Sequence, residues 1–220
     1  MKGAVRTCTI LAMANAVVFA APVSLQPPEF SADIVTHDPG GAVIEPGARL
    51  YVSRGKIRID PPDAAAGFFL VDSKSTHALF VRPSQHLYMD ARQSTGVTQL
   101  FLPADPRDPC ELWQLAARHA GSQGAQDQWN CERVSAGRNV GYIVGSTPEN
   151  STQRWIDPEL SFPVRVRTAD GTTLELKNIK KAPQPPDLFV IPAGYRKTAP
   201  PAPHHRAKSK GHNLWATPSE

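Results

Sequence analysis

From Phe30 to Lys197 apolar and polar residues alternate in short runs, broken by glycine, proline and aspartate, which is the pattern of antiparallel strands. Phe30 to His37 opens the series. Arg49 to Asp60 reads as a hairpin turning at Arg54-Gly55. That turn sets Leu50 against Ile59 and Val52 against Ile57 on an apolar face, with Tyr51 against Arg58 and Arg49 against Asp60 on a polar one. Phe68 to Val71 and Ala78 to Val81 are apolar at every position, with Asp72 to Ser75 as their turn. Strands apolar on both sides must be covered on both, so a helix is expected on one side and a second wall or a ligand on the other. A further turn through Arg82-Pro-Ser-Gln85 would place Phe80 opposite Leu87, Leu79 opposite Tyr88 and His77 opposite Asp90.

Val164 to Leu176 forms the best-defined hairpin. A three-residue loop, Ala169-Asp-Gly171 with Gly171 left-handed, sets Val166 against Leu174, Val164 against Leu176 and Arg165 against Glu175. One helix is expected, starting at Asp108-Pro109-Cys110-Glu111 as cap, first-turn proline and capping-box glutamate. Leu112, Leu115, Ala116 and His119 follow at helical spacing, and Gly121 ends the run.

The two ends differ from this body. Lys2 and Arg6 precede the apolar run Thr7 to Ala20, and Val18-Phe19-Ala20 fits a small-residue cleavage site, so residues 1–21 read as a cleaved export signal. Cys8 lies early in that segment, away from any lipid-attachment position. No later run approaches the roughly 18 to 20 apolar residues of a membrane helix. Residues 22–197 then form one domain, and the Pro-, His- and Lys-rich stretch 198–220 reads as a disordered basic tail. Of 24 Lys and Arg, two lie in the signal and three in the tail; of 20 Asp and Glu only Glu220 lies there, which leaves the body neutral at 19 of each sign. The basic character therefore marks no nucleic-acid-binding face.

In an oxidising compartment the remaining Cys110 and Cys131 are expected to pair, pinning the helix start to the sheet. A metal site or a reactive thiol is the other use of two cysteines, and neither has its usual neighbours here. Catalytic signals are missing as well. No Gly-x-Ser-x-Gly occurs, no glycine loop leads into a helix, and His37, His77, His86 and His119 are dispersed. A His77–Asp90 contact is expected in place of a metal pair. No enzyme, cofactor or metal is expected.

The body, roughly Glu29 to Lys197, resembles the superfamily of outer-membrane lipoprotein-sorting proteins, exported bacterial proteins related to the LolA and LolB carriers. Phe30-Ser-Ala-Asp-Ile-Val35, Leu50-Tyr-Val with Gly55-Lys-Ile-Arg-Ile-Asp60, and Trp155-Ile-Asp157 leading to Phe162-Pro-Val-Arg165 carry the likeness. Asp170-Gly171, Leu174-Glu-Leu-Lys-Asn-Ile179 and Leu188-Phe189 closing on Pro192-Ala-Gly-Tyr195 complete it. The resemblance implies a mainly β fold, a curved antiparallel sheet or half-open barrel of about ten or eleven strands packed on one or more short helices. It also implies an apolar cavity for acyl chains, with Leu50, Val52, Ile57, Ile59, Phe69, Val71, Phe80, Leu87 and Met89 as lining candidates. Taken singly, each of the nine reads more readily as ordinary core than as cavity lining. The expected role is that of a periplasmic, non-catalytic carrier for a lipid or lipidated protein. The alternative is an envelope assembly or stress-sensing module that recognises protein and holds no lipid.

Overall fold

Arg54 and Gly55 both take positive φ, 47° and 81°, and a two-residue turn of that hand matches the natural twist of the strands it joins. The first hairpin accordingly has the expected register, Leu50 opposite Ile59 and Val52 opposite Ile57. The computed structural model describes residues 28–91, 97–103, 108, 110–111, 113–114, 130–134, 139–145 and 151–199. The expected export signal, nearly all of the tail, and Pro109, Leu112, Leu115, Ala116, His119 and Gly121 of the expected helix lie outside these residues.

The strands are β1 (Phe30–His37), β2 (Val43–Ser53), β3 (Lys56–Asp60), β4 (Phe68–Asp72), β5 (His77–Arg82), β6 (Leu87–Asp90), β7 (Asn130–Val134), β8 (Val140–Gly145), β9 (Thr152–Asp157), β10 (Phe162–Arg167), β11 (Thr173–Lys181) and β12 (Arg196–Lys197). A helical turn, α1 (Val97–Leu100), follows β6. The strands form one open sheet in the order β12-β6-β5-β4-β3-β2-β1-β11-β10-β9-β8-β7. Every pairing is antiparallel except the short β12 against β6. The fold is therefore the mainly β, unclosed sheet expected. Among the described residues the terminal Arg196–Lys197 strand takes the count to twelve.

The β10–β11 hairpin also has the expected form. Gly171 takes φ 88°, Thr168 and Thr172 close the three-residue loop, and Val166 faces Leu174. Arg165 lies opposite Glu175. Their charges go elsewhere, however: Lys177 Nζ is 2.7 Å from Glu175 Oε1, and Arg165 stacks over Trp155 at 5.1 Å. The β5–β6 pairing corrects the sequence reading. Phe80 faces Met89, Leu79 faces Asp90 and Arg82 faces Leu87. The turn Pro83–Gln85 is a 3-10 turn that begins one residue later than expected, and His86 leaves it at φ 53°. The loop keeps four residues but slides by one, which moves every pair by two and leaves the faces unchanged. His77 still reaches Asp90, Nε2 to Oδ2 at 3.6 Å, as a diagonal neighbour.

The inner face carries Phe30, Ala32 and Ile34 from β1, the apolar inward residues of β2 to β6, and Val166, Leu174 and Leu176 from β10 and β11, all in one buried cluster. Val97, Leu100, Phe101, Leu102 and Trp113 belong to the same cluster. The outer side of β4 and β5, with Phe68 and Val81 buried, is covered by a route not anticipated from sequence. The chain leaving β11 places the 3-10 turn Pro186–Phe189 against β3. Arg58 lies 3.7 Å over the Phe68 ring and donates to the Leu188 carbonyl at 3.3 Å. Beyond it Tyr195 meets His86, ring centroids 5.3 Å apart, and β12 completes the edge beside β6.

Two outcomes test this arrangement. Gly67 takes φ 131°, and a Cβ there would run into the Val81 carbonyl oxygen and lie 2.9 Å from Phe80 Cζ. Gly67→Ala is expected to cost roughly 2 kcal/mol or more in urea unfolding. Asp33 accepts from Asn178 Nδ2 at 2.8 Å and pairs with Arg49. These contacts, the Asn178 bond foremost, hold its carboxyl below the ordinary value of 3.8. A depressed carboxylate stabilises above its unfolded pKa, and that contribution is lost as pH falls through the folded value. Asn178→Gly, which suits the local φ of 52°, should reduce stability at pH 7 by about 1 kcal/mol or less. It should also flatten the acid limb below about pH 4, read from unfolding at neutral and acid pH.

Candidate functional site

The inward positions of β2 to β6 form a strip without a break. Leu50 and Val52, Ile57 and Ile59, Phe69 and Val71, then Phe80 and Met89 are paired strand to strand and buried. Leu87, the ninth candidate, is half-buried at the rim, opposite Arg82 and beside Arg196, outside the buried cluster. Phe69 and Phe80 meet with ring centroids 4.8 Å apart. The strip continues through β1, β11 and β10 to Ile156 on β9 and Val144 on β8.

The sequence reading puts a helix on one face of the two-sided strands and the cavity-lining residues on the other; the structure brings helical turn and lining candidates to the same face. Val97, Leu100, Phe101 and Leu102 lie on the face that carries the eight buried candidates, with Phe101 stacked on Phe162 at 6.4 Å and Phe162 edge-on to Phe30 at 5.3 Å. The spacing of Val97, Leu100 and Phe101 is the helical signal that marks this turn in sequence.

A second piece of chain reaches the same face from Asp108. Its Oδ1 accepts from the amides of Cys110 and Glu111 at 3.1 and 3.2 Å, and Gln114 N bonds Cys110 O at 3.0 Å. This is the expected capped helix start. Cys110 is joined to Cys131 on β7, Cα atoms 6.1 Å apart. The disulfide fastens that turn beside β8, where Trp113 is buried against Tyr142, edge-on at 5.7 Å. Sequence reasoning misses Trp113, because it lies off the stripe of Leu112, Leu115 and Ala116.

Facing Trp113 is Arg154, also missed. Its guanidinium carbon is 4.7 Å from the indole, Nη1 donates to the Leu100 carbonyl at 3.2 Å, and Nε to Thr152 Oγ1 at 3.3 Å. Burial pushes its pKa down to about 9. The signal lay in period two: Arg154 shares a face with the buried Ile156, so it has to point inward. Trp113 Nε1 has no hydrogen-bond partner among the described residues.

Among the described residues no group of three or more His, Cys, Asp or Glu side chains could hold a metal ion, and no helix is long and apolar enough to cross a membrane. His77 and His86 sit at opposite ends of β5–β6, on Asp90 and Tyr195.

Neither a protein-family model nor a curated protein matches the sequence. In fold the chain is similar to an uncharacterized conserved protein from Thermus thermophilus, at 10% identity and a TM-score of 0.44 over 80% of this chain and 92% of that one. It is similar to a chain of the Pseudomonas aeruginosa MucA/MucB complex at 14% identity and a TM-score of 0.40, over 77% of this chain and 57% of that one. A LolA superfamily protein from Nitrosomonas europaea is similar at 11% identity and a TM-score of 0.36, over 76% and 91% of the two chains.

The disulfide has a measurable consequence. Replacing Cys110 and Cys131 by serine opens a loop of sequence separation 21, and should cost roughly 3 kcal/mol. Because the clasp holds Trp113 in place, acrylamide quenching of that indole should rise in the double variant; a Trp113→Phe control isolates its signal.

Proposed function

We propose that this protein is an exported, non-catalytic binding protein whose inner sheet face takes up an acyl chain, free or attached to a lipidated partner, when the Val97–Leu102 segment moves off it. One observation carries the reading. Buried apolar side chains run along the inner face from Met89 on β6 to Val144 on β8, with Arg154 set among them on β9, and among the described residues Val97–Leu102 and the turn that bears Trp113 pack on it. The apolar side chains that Val97–Leu102 buries there are of the kind an acyl chain replaces. Each methylene moved from water onto that face contributes roughly 0.8 kcal/mol.

Purification without detergent, followed by native mass spectrometry, tests the proposal. A phospholipid or acylated species bound at one equivalent is the expected result. Leu87→Glu provides the matched variant, since the half-buried rim position accepts a charge without unfolding the sheet. It should retain the wild-type circular dichroism and recover several-fold less lipid. Protein that arrives empty and also fails to bind an added fluorescent fatty acid contradicts the proposal and directs the search to protein partners.

A further inference from the structure

Among the described residues two buried side-chain polar atoms lack a hydrogen-bond partner, His37 Nε2 and Trp113 Nε1. The first has Glu175 Oε2 beside it at 3.9 Å. The second is a neutral N–H donor on a residue only 2% exposed, set in the apolar cluster of the inner face. Tyr142 packs on that indole with ring centroids 5.7 Å apart, and an aromatic ring is a weak acceptor at best. A buried donor left unpaired costs free energy that an all-carbon ring in the same place would not. Trp113 therefore carries a polar group that no described residue uses. Cys110, on the same turn, is joined to β7 by the disulfide, so the indole stays on the sheet when a cover held without covalent bonds leaves. The Leu100 carbonyl lies close by: the Arg154 guanidinium that donates to it at 3.2 Å has its carbon 4.7 Å from the indole. The place that Val97–Leu102 would vacate is next to a fixed N–H donor.

We propose that Trp113 Nε1 donates to the carbonyl oxygen of an acyl ligand, fixing the carbonyl end of the chain over β8 and β9 while the tail runs toward β2. The inference rests on the acyl-binding reading above and adds to it the group that the protein recognises and the direction in which the ligand lies. An indole supplies one N–H and no charge. A carbonyl oxygen accepts such a bond while the hydrocarbon attached to it stays on the apolar wall. Binding then satisfies a donor that is buried without a partner in the free protein. From β9 the apolar strip runs across β10, β11 and β1 to β2, four strand spacings of about 4.8 Å or roughly 19 Å in all. That span takes the tail of a common fatty acyl chain. Esters, amides and free acids all present the same oxygen, and the ligands of the test tell them apart.

Ligands that share a tail and differ at the carbonyl provide the test. Methyl dodecanoate, N-methyldodecanamide, dodecanoate and dodecane are each added to the purified protein. The indole N–H resonances are followed by NMR, and affinities are taken from displacement of a fluorescent fatty acid. The chain holds four tryptophans. The Trp113 signal is the one absent in Trp113→Phe, or the one that persists when the other three are replaced singly. The ester and the amide are expected to move that resonance downfield, and dodecane is not. Trp113→Phe should bind the ester and the amide about tenfold more weakly and dodecane as before. A downfield shift with ester and amide supports the donor and assigns it to linked acyl chains, as in lipids and lipidated proteins. The same shift with dodecanoate alone supports the donor and assigns it to free fatty acids. Binding without a downfield shift, or an equal shift with dodecane, overturns the Trp113 assignment and leaves the acyl site in place. Both are read on protein that keeps Trp113, so they hold whether or not Trp113→Phe folds. If none of the four ligands binds, the acyl site fails and the Trp113 site fails with it.

Discussion

A sheet with one continuous apolar face cannot leave that face to water, and an open sheet has no second wall of its own to cover it. Here the face runs from Met89 to Val144, and among the described residues Val97, Leu100, Phe101, Leu102 and Trp113 pack against it. The position of Phe101 on Phe162, the capped turn at Asp108 and the Cys110–Cys131 clasp all serve that closure. The opposite side of β4 and β5 meets the same requirement differently, with the chain after β11 laid across it and held by Arg58 between Phe68, Asp60 and Leu188.

The two covers differ in how they are fixed. The outer one is fastened at several points along its length: Ala182 N bonds Glu29 O, Gln184 N bonds the Glu29 carboxylate, Phe189 is buried, and β12 pairs with β6. The Gln184 amide, foremost among its partners, holds the Glu29 carboxyl below its ordinary value. On the inner cover Val97, Leu100, Phe101, Leu102 and Trp113 pack into the buried cluster, and the Leu100 carbonyl accepts from Arg154. Apolar packing has no direction and can be exchanged for other apolar matter, whereas a ladder of amides cannot.

Turn chemistry decided which parts of this fold were legible in the sequence. Arg54-Gly55 and Ala169-Asp-Gly171 demand backbone conformations that few other arrangements satisfy, so the registers on either side followed from them. Pro83 to His86 makes no such demand, and the β5–β6 register slid by one loop residue although the faces survived. The eight buried candidates were legible as inward residues because period two places them there. Their being on the same side as α1 was not, because alternation says which residues share a face and not what lies over it. Trp113 and Arg154 were hidden for a related reason. A tryptophan off the helical stripe and an arginine in a strand both look like surface residues until the disulfide and the sheet bring them to 4.7 Å.

Hydrogen–deuterium exchange of the Val97–Leu102 amides, with and without added oleate, tests most directly whether the inner cover is exchangeable. A displaceable cover predicts weaker protection there than in β2 to β5 of the free protein, and a further loss on adding oleate while those strands keep theirs. Protection of Val97–Leu102 equal to that of the strands, and unchanged by oleate, would make the segment permanent core and contradict the binding function proposed for the inner face.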